Sequence, residues 1–161
     1  MEQITQYIGK ACRWLLLTMT ITAGVNAILR YASKFAGIAL SSNAFLELQW
    51  YLFGTIFLLG AGYSLSQQRH VRVDIFYANV SSKIRNWIDI LGTVFFLLPF
   101  SLIGIYLSWD FVLNSWTILE NSPDAGGLPR YPIKTMIPLG FLLLFLEGLR
   151  WLRGLWTEEV K

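Results

Sequence analysis

Four stretches of the sequence are apolar over close to the length that a helix needs to cross a bilayer. They lie near residues 14–33, 47–66, 88–108 and 134–153, and each carries little charge. About 20 helical residues cover the roughly 30 Å of hydrocarbon in a membrane, and a helix satisfies its backbone hydrogen bonds internally. The pattern therefore predicts an all-α membrane protein of four transmembrane helices, forming a single membrane domain over residues 1–161.

Proline predicts local features in two of these stretches. Pro99 lies inside the third, where its missing N–H predicts a kink or a broken hydrogen-bond ladder near Leu98. Pro138 lies near the start of the fourth, and we expect it in the first helical turn, where no N–H is needed.

The two long connections between spans differ in character. Between the second and third spans, residues 67–87 mix apolar residues with bases, and residues 74–80 predict a short amphipathic helix lying in the membrane interface. Ser81 or Ser82 is then expected to cap the third span. Between the third and fourth spans, residues 109–133 predict a long loop, because residues 121–130 are rich in turn-forming types.

Lysine and arginine residues indicate how the helices are oriented. If four helices alternate in direction, nine bases fall on one side of the membrane and four on the other. Loops rich in these residues stay in the cytoplasm, so we predict that both termini are cytoplasmic. The nine are Lys10, Arg13, Arg69, Arg72, Lys83, Arg85, Arg150, Arg153 and Lys161; the four are Arg30, Lys34, Arg130 and Lys134.

Composition agrees with a membrane location and excludes several functions. Apolar residues make up 55% of the chain and charged residues 14%, whereas a water-soluble domain carries about a quarter charged residues. The net charge is +3 and the bases are not gathered into one run. The sequence therefore lacks the basic patch that is typical of nucleic-acid-binding proteins.

Residue types that catalyse reactions or bind metals are scarce. Cys12 is the only cysteine, which excludes an internal disulfide, paired-cysteine redox chemistry and cysteine-based metal sites within one chain. His70 is the only histidine and cannot supply two axial haem ligands. As a catalytic base it lacks a placed nucleophile. We predict no catalytic residue, no metal site and no cofactor.

The middle of the spans offers hydroxyls and one amide in place of ionisable groups. A transporter that carries its own ion site usually has ionisable or polar groups near the bilayer midplane, whereas hydroxyls there usually form hydrogen bonds along or between helices. The sequence therefore disfavours a coupling-ion site. The side chains concerned are Thr18, Thr20, Thr22, Asn26, Thr55 and Ser101.

Two charge pairs stand out near the span ends. Arg30 closes the first span and Glu47 opens the second, so the two could pair within the chain, hold a partner subunit, or each extend to water. Glu147 and Arg150 are three residues apart and predict a local pair across one helical turn.

Small residues in the second span predict close helix packing. Gly54, Gly60, Ala61 and Gly62 leave part of this helix nearly free of side chains, so another helix can approach its backbone. Packing within the chain is the most frequent reason for such a pattern. The sequence does not separate it from packing against a second protein.

Short sequences at the span ends carry a family resemblance. They are Leu29-Arg30-Tyr31, Glu47-Leu-Gln-Trp-Tyr51, Gly60-Ala-Gly-Tyr-Ser-Leu65 and His70-Val-Arg-Val-Asp74. Together they resemble the small membrane (Q-type) subunit of tripartite ATP-independent periplasmic (TRAP) transporters, over most of the chain from the first span to Glu147. The later sequence of residues 122–138 is similar to the branch associated with organic and oxo-acid substrates.

This resemblance implies a subunit of a sodium-driven importer in the bacterial inner membrane. In such systems a periplasmic solute-binding protein delivers the ligand to a large membrane subunit, which carries the substrate and sodium sites and moves as an elevator. The small subunit is expected to enlarge the static scaffold, and the loop at residues 109–133 to touch the binding protein. The candidate structural or subunit-interface residues are Arg30, Glu47, Gln49, Trp50, His70, Arg72 and Asp74.

Other classes of membrane protein have less support. A small homodimeric multidrug exporter would resemble its family through an acidic residue within the first span, and this span has none. A membrane thiol oxidoreductase would need cysteine pairs, and a haem-carrying subunit would need more histidines. An accessory subunit of another membrane complex would look much the same as the TRAP subunit, so its distinguishing feature is the partner.

Overall fold

The computed structural model describes residues 2–67 and 80–159, with side chains from residue 3 to residue 155 of those ranges. The described chain forms four long helices: α1 (Glu2–Ala36), α2 (Asn43–Ser66), α3 (Ser82–Thr117) and α4 (Tyr131–Glu159). Each is long and apolar enough to cross a membrane. This confirms the predicted all-α architecture with four membrane-spanning helices, and each predicted span lies inside one of the four.

All four helices extend beyond the spans predicted from hydrophobicity, α2 by four residues at its start. α1 begins at Glu2 rather than near residue 14, and α4 continues to Glu159. α3 ends at Thr117, so part of the segment expected as a loop from residue 109 is more than two further helical turns. Because hydrophobicity reports only the part of a helix inside hydrocarbon, it underestimates helices whose ends reach the polar interface.

The hydrogen-bond ladder of α3 is interrupted just before Pro99, as predicted. Residues Thr93–Leu97 form a π-helical turn, and the N–H of Leu98 donates to the carbonyl of Thr93, five residues earlier. The Thr93 hydroxyl donates in turn to the Asp89 carbonyl at 2.7 Å. The wider turn accommodates the ring of Pro99, which has no N–H and would clash with the carbonyl of Phe95 in a regular helix.

The position predicted for Pro138 is wrong. α4 begins at Tyr131, so Pro132 takes the first turn and Pro138 lies in the helix interior. The carbonyl of Lys134 therefore loses its usual N–H donor four residues later. The sequence pattern placed the helix start too late because Pro132 and Lys134 interrupt the apolar run near its beginning.

The connection between α2 and α3 is described only at its ends. Ser81 is the N-cap residue of α3, as predicted, although its hydroxyl makes no capping hydrogen bond. The interfacial helix expected at residues 74–80 lies almost wholly outside the described residues.

The described helices pack side by side in an open row. α1 packs along α2, α2 along α4, and α4 along α3, which gives the spatial order α1–α2–α4–α3. At each of the three contacts a glycine accepts a bulky neighbour: Gly9 meets the ring of Tyr63, Gly140 meets Leu58, and Gly104 meets the ring of Phe141.

The small residues of α2 divide between two surroundings. Gly62 packs tightly on Leu143 of α4, where an added Cβ would lie 2.7 Å from the Leu143 Cγ. Gly54 and Gly60 face open space, with nothing within 4 Å of an added Cβ. Internal packing therefore explains one end of the predicted small-residue stretch, and the described residues leave Gly54 and Gly60 uncovered.

An open row buries little of its apolar surface. Phe57 of α2 is 68% exposed and Phe96 of α3 is 76% exposed. Such surface is stable only against lipid or another protein. The architecture thus leaves wide apolar surfaces exposed on the helices of the row.

Candidate functional site

Two buried carboxylates lie near opposite ends of the helices, measured along the helix axes. We call the end that holds residues 37–42 and 118–130 the loop end, and the end that holds Thr5 and Glu147 the terminal end. Glu47 at the loop end is 3% exposed, and Glu147 at the terminal end is 1% exposed. A buried carboxylate needs donors to replace its water, so the partners of each show what these positions do.

Glu47 holds the connection between α3 and α4 against α2. Its carboxylate accepts hydrogen bonds from the hydroxyl of Ser122 and the backbone N–H of Leu128. Gly127 is required beside it, because an added Cβ would lie 2.8 Å from a Glu47 carboxylate oxygen. One helical turn further on, the Tyr51 hydroxyl lies 3.3 Å from the Leu128 carbonyl and 3.1 Å from the Pro129 carbonyl, to which it donates.

The start of α2 contributes further contacts to the same loop. Asn43 donates its side-chain amide to the Ala125 carbonyl at 3.1 Å, and the Ser42 hydroxyl donates to the Gly126 carbonyl at 3.3 Å. Gly126 has a φ of +72°, a conformation that suits glycine. The loop is therefore fixed along its length to the first two turns of α2, while residues 123–126 at its tip stay exposed.

A second acidic side chain closes the base of this loop. The Glu120 carboxylate accepts from the Lys134 ammonium and from the Ser115 hydroxyl, the latter at 2.8 Å. These donors, with Lys134 as the strongest, hold the pKa of Glu120 below its usual value. The Arg130 N–H donates to the Glu120 carbonyl at 2.8 Å, so both ends of the loop meet here.

Glu147 of α4 connects this helix to α1 at the terminal end. It accepts from the Thr5 hydroxyl of α1 and forms an ion pair with Arg150, whose Nε lies 2.7 Å away. The local Glu147–Arg150 pair predicted from the sequence is confirmed. The contact with Thr5 was not predicted, because Thr5 and Glu147 are 142 residues apart and no local sequence pattern links them.

Glu47 and Arg30 do not meet in the described chain. The Glu47 carboxylate points to the loop, whereas Arg30 is exposed and lines a groove of about 270 Å³ with Ser33, Ser41 and neighbouring polar residues. The ion pair considered from the sequence is therefore not formed within the described residues.

The remaining sequence-predicted residues occupy different places. Gln49 is half-buried and donates to the Phe45 carbonyl of its own helix at 3.0 Å. Trp50 is 47% exposed and packs edge-on against Tyr51, with ring centroids 4.5 Å apart. His70, Arg72 and Asp74 lie outside the described residues, so their role stays a prediction.

Sequence reasoning found Glu47 but missed its partners. Ser122 and Gly127 belong to the turn-rich run noted in the sequence, which signals a fixed loop without showing what fixes it. Within residues 2–67 and 80–159, no group of three or more histidine, cysteine, aspartate or glutamate side chains is arranged to hold a metal ion. The described carboxylate clusters are built to position helices and a loop.

Comparison with known protein families gives a match over most of the chain, whereas no curated protein matches it. The model of the family described as tripartite ATP-independent periplasmic transporters, DctQ component, matches residues 19–158. That range includes about half of α1 and all of α2, α3 and the α3–α4 loop with its Glu47 anchor. It covers nearly the whole chain, so this multi-pass membrane protein belongs to the DctQ component family of the tripartite ATP-independent periplasmic transporters.

Proposed function

We propose that this chain is the small permease subunit that scaffolds the large membrane subunit of a TRAP transporter in the bacterial inner membrane. The assembly would take up an organic acid with sodium, after delivery by a periplasmic binding protein. The observation that carries this proposal is the open row of helices, because its wide apolar faces are not covered by the described chain. Membership of the DctQ family suggests that the large membrane subunit of the transporter covers these faces.

The most specific of these faces lies on α2. Trp50, Phe53 and Phe57 follow one another at helical spacing and are 47%, 58% and 68% exposed. The rings of Phe53 and Phe57 stack with their centroids 6.3 Å apart. Gly60 continues the same side of the helix and has no neighbour within 4 Å of an added Cβ. We call this set the aromatic face.

The aromatic face has the form of a helix–helix contact. Exposed aromatic rings supply contact area, and a glycine beside them lets a second backbone come close. Lipid gains nothing from such a recess, whereas a protein helix does. The proposal therefore places the large subunit against α2, with Arg30 at the nearby loop end available to pair with one of its carboxylates.

A matched pair of glycine variants tests this interface. Gly60→Leu adds a side chain on the aromatic face, and Gly92→Leu adds the same side chain on α3. An added Cβ at either glycine has no described neighbour within 4 Å. Both variants would be purified through an affinity tag on the large subunit. Gly60→Leu should lower the recovered small subunit about tenfold or more, as overpacking of an interface implies, and Gly92→Leu should not. Equal recovery of both variants would move the interface away from α2.

Uptake measurements test the transport role. Cells that produce the binding protein and the large subunit, with or without this chain, would be supplied with radiolabelled organic acids in the presence and absence of a sodium gradient. The proposal requires that uptake depends on all three proteins and on sodium. Undiminished uptake without this chain would contradict it, and uptake driven by protons alone would correct the coupling ion.

The anchored loop suggests where the binding protein docks. The tip at residues 123–126 is exposed on a loop held by Glu47, so it presents a fixed surface beyond the loop end. Asp124→Lys reverses the exposed charge and leaves the anchor in place, and Lys34→Glu reverses an exposed charge at the same end outside the loop. The proposal expects weaker docking of the binding protein for Asp124→Lys only. Unchanged docking would remove the loop from the interface.

Orientation follows from the same picture. The Thr5–Glu147 contact brings the start of α1 and the later part of α4 to the same end of the row. We place that end in the cytoplasm, because six lysine and arginine residues of the described ranges belong to it and four to the other end. Alkaline phosphatase, which is active only outside the cytoplasm, should be inactive when fused to either terminus.

A further inference from the structure

One face of α1 combines two bases with an apolar continuation. Lys10, Arg13, Trp14 and Leu17 are spaced so that they share one side of the helix, and all four are exposed. Among the described residues, these four line a groove of about 490 Å³. We call this set the basic strip.

The charges of the basic strip are not neutralised within the described chain. Lys134 and Arg150 each pair with a carboxylate, Glu120 and Glu147 respectively, whereas no carboxylate of a described residue pairs with Lys10 or Arg13. The Lys10 ammonium lies 5.5 Å from the centroid of the Tyr7 ring, which leaves its charge available. The strip therefore offers two positive charges to a ligand.

The strip lies where α1 enters the membrane at the terminal end. Gly9 packs against the ring of Tyr63, close to the end of α2 at Ser66, so Lys10 and Arg13 are level with a helix terminus. Trp14 is 70% exposed at this level, as is typical of rings at the boundary between headgroups and acyl chains. Leu17 and Ile21, which are 49% and 58% exposed, continue the same side into the hydrocarbon.

We propose that the basic strip binds one anionic phospholipid. The headgroup phosphate lies between Lys10 and Arg13, where the guanidinium can donate two hydrogen bonds to its oxygens. The glycerol region lies beside Trp14, and one acyl chain lies along Leu17 and Ile21. The order of charge, ring and apolar surface along the helix is the order of headgroup, glycerol and acyl chain in the lipid.

The charges favour lipid over protein as the occupant. A protein interface that covered Lys10 and Arg13 would have to remove water from two cations, which is costly unless each meets a carboxylate. The cores of protein interfaces are accordingly depleted in charged residues, lysine among them. A lipid phosphate neutralises both bases and leaves its acyl chains on the apolar surface.

Native mass spectrometry of the complex with the large subunit tests this site. The complex would be mixed with equal amounts of phosphatidylglycerol and phosphatidylethanolamine that carry the same acyl chains. Lys10→Gln with Arg13→Gln would be compared with Lys34→Gln and Lys83→Gln, two exposed bases outside the basic strip. The preference for phosphatidylglycerol should fall about thirtyfold in the first double variant and stay unchanged in the second.

Three results would overturn the proposal. Equal losses in both double variants would show a response to overall charge, and displacement of phosphatidylglycerol by excess inorganic phosphate would show a site for the free anion. A photoactivatable residue at position 17 that crosslinks to the large subunit instead of to lipid would show that protein covers the strip. Because binding is measured on purified protein, any effect of these bases on orientation in the cell does not enter the result.

Discussion

Replacing Gly140 by alanine should separate α2 from α4. A Cβ at this position would lie 2.8 Å from the Leu58 Cβ and 3.0 Å from the Leu58 carbonyl oxygen. A backbone carbonyl cannot rotate away as a flexible side chain can, so the two helices have to move apart. Overpacking of this kind costs about 1–3 kcal/mol of unfolding free energy.

The same substitution at Gly60 of α2 provides the control. An added Cβ there meets no atom within 4 Å, so the variant gains only the helix preference of alanine over glycine, about 1 kcal/mol. Gly140→Ala gains the same helix preference but is also destabilised by the overpacking against Leu58. The difference between the two variants therefore isolates that cost, and Gly140→Ala should be less stable than Gly60→Ala by about 1–3 kcal/mol.

Unfolding of the purified chain by sodium dodecyl sulfate in mixed micelles, followed by circular dichroism, measures this difference. Gly140→Ala should unfold at a lower detergent fraction than the unsubstituted protein, and Gly60→Ala at an equal or higher one. If both variants unfolded at the same detergent fraction, α2 and α4 would not be in the contact described here.

Three further perturbations address the two carboxylate clusters. Glu47→Gln should raise hydrogen exchange in residues 118–130 about tenfold or more, because a charged acceptor of two loop hydrogen bonds becomes neutral; Gln49→Leu on the same helix should leave this exchange unchanged. Since the pKa of Glu120 is depressed in the folded chain, its stabilising contribution is complete above its unfolded pKa of about 4.3 and is lost as the pH falls through the lower folded value. Exchange at the base of the loop should therefore, after correction for the intrinsic pH dependence of exchange, increase below about pH 4 and stay constant between about pH 6 and pH 8; constancy down to about pH 2 would contradict this. Thr5→Val should destabilise the chain by about 1.5–3 kcal/mol in the same detergent titration, because a buried carboxylate loses a donor, whereas Thr22→Val removes only a hydroxyl bonded within its own helix and should have a smaller effect. Equal effects of the two threonine variants would show that the α1–α4 contact adds no stability.

The sequence predicts the helices better than the contacts between them. Spans follow from composition and length, and the interruption before Pro99 follows from a missing N–H, because both depend on nearby residues. Glu47 could be selected as an unusual carboxylate at a span end, but its partner Ser122 is 75 residues away. The order of helices in the row is set by which glycines meet which bulky side chains. A single sequence does not reveal such pairings.

Polar residues at the helix ends account for the wrong boundaries. Lys134 reads as the charged start of the fourth span, yet α4 begins three residues earlier at Tyr131, and Lys134 pairs with Glu120. Charged and hydroxyl side chains are ordinary helix residues once a loop or another helix satisfies them. Hydrophobicity alone therefore shortens a helix at each such position.

The central claim is that this chain works as one subunit of a larger membrane complex. Its most direct test is the mass of the intact assembly, purified in mild detergent after expression of the chain with its native operon. The account predicts one copy of this chain bound to one large polytopic membrane subunit. A stable homodimer of this chain without any other subunit would contradict it.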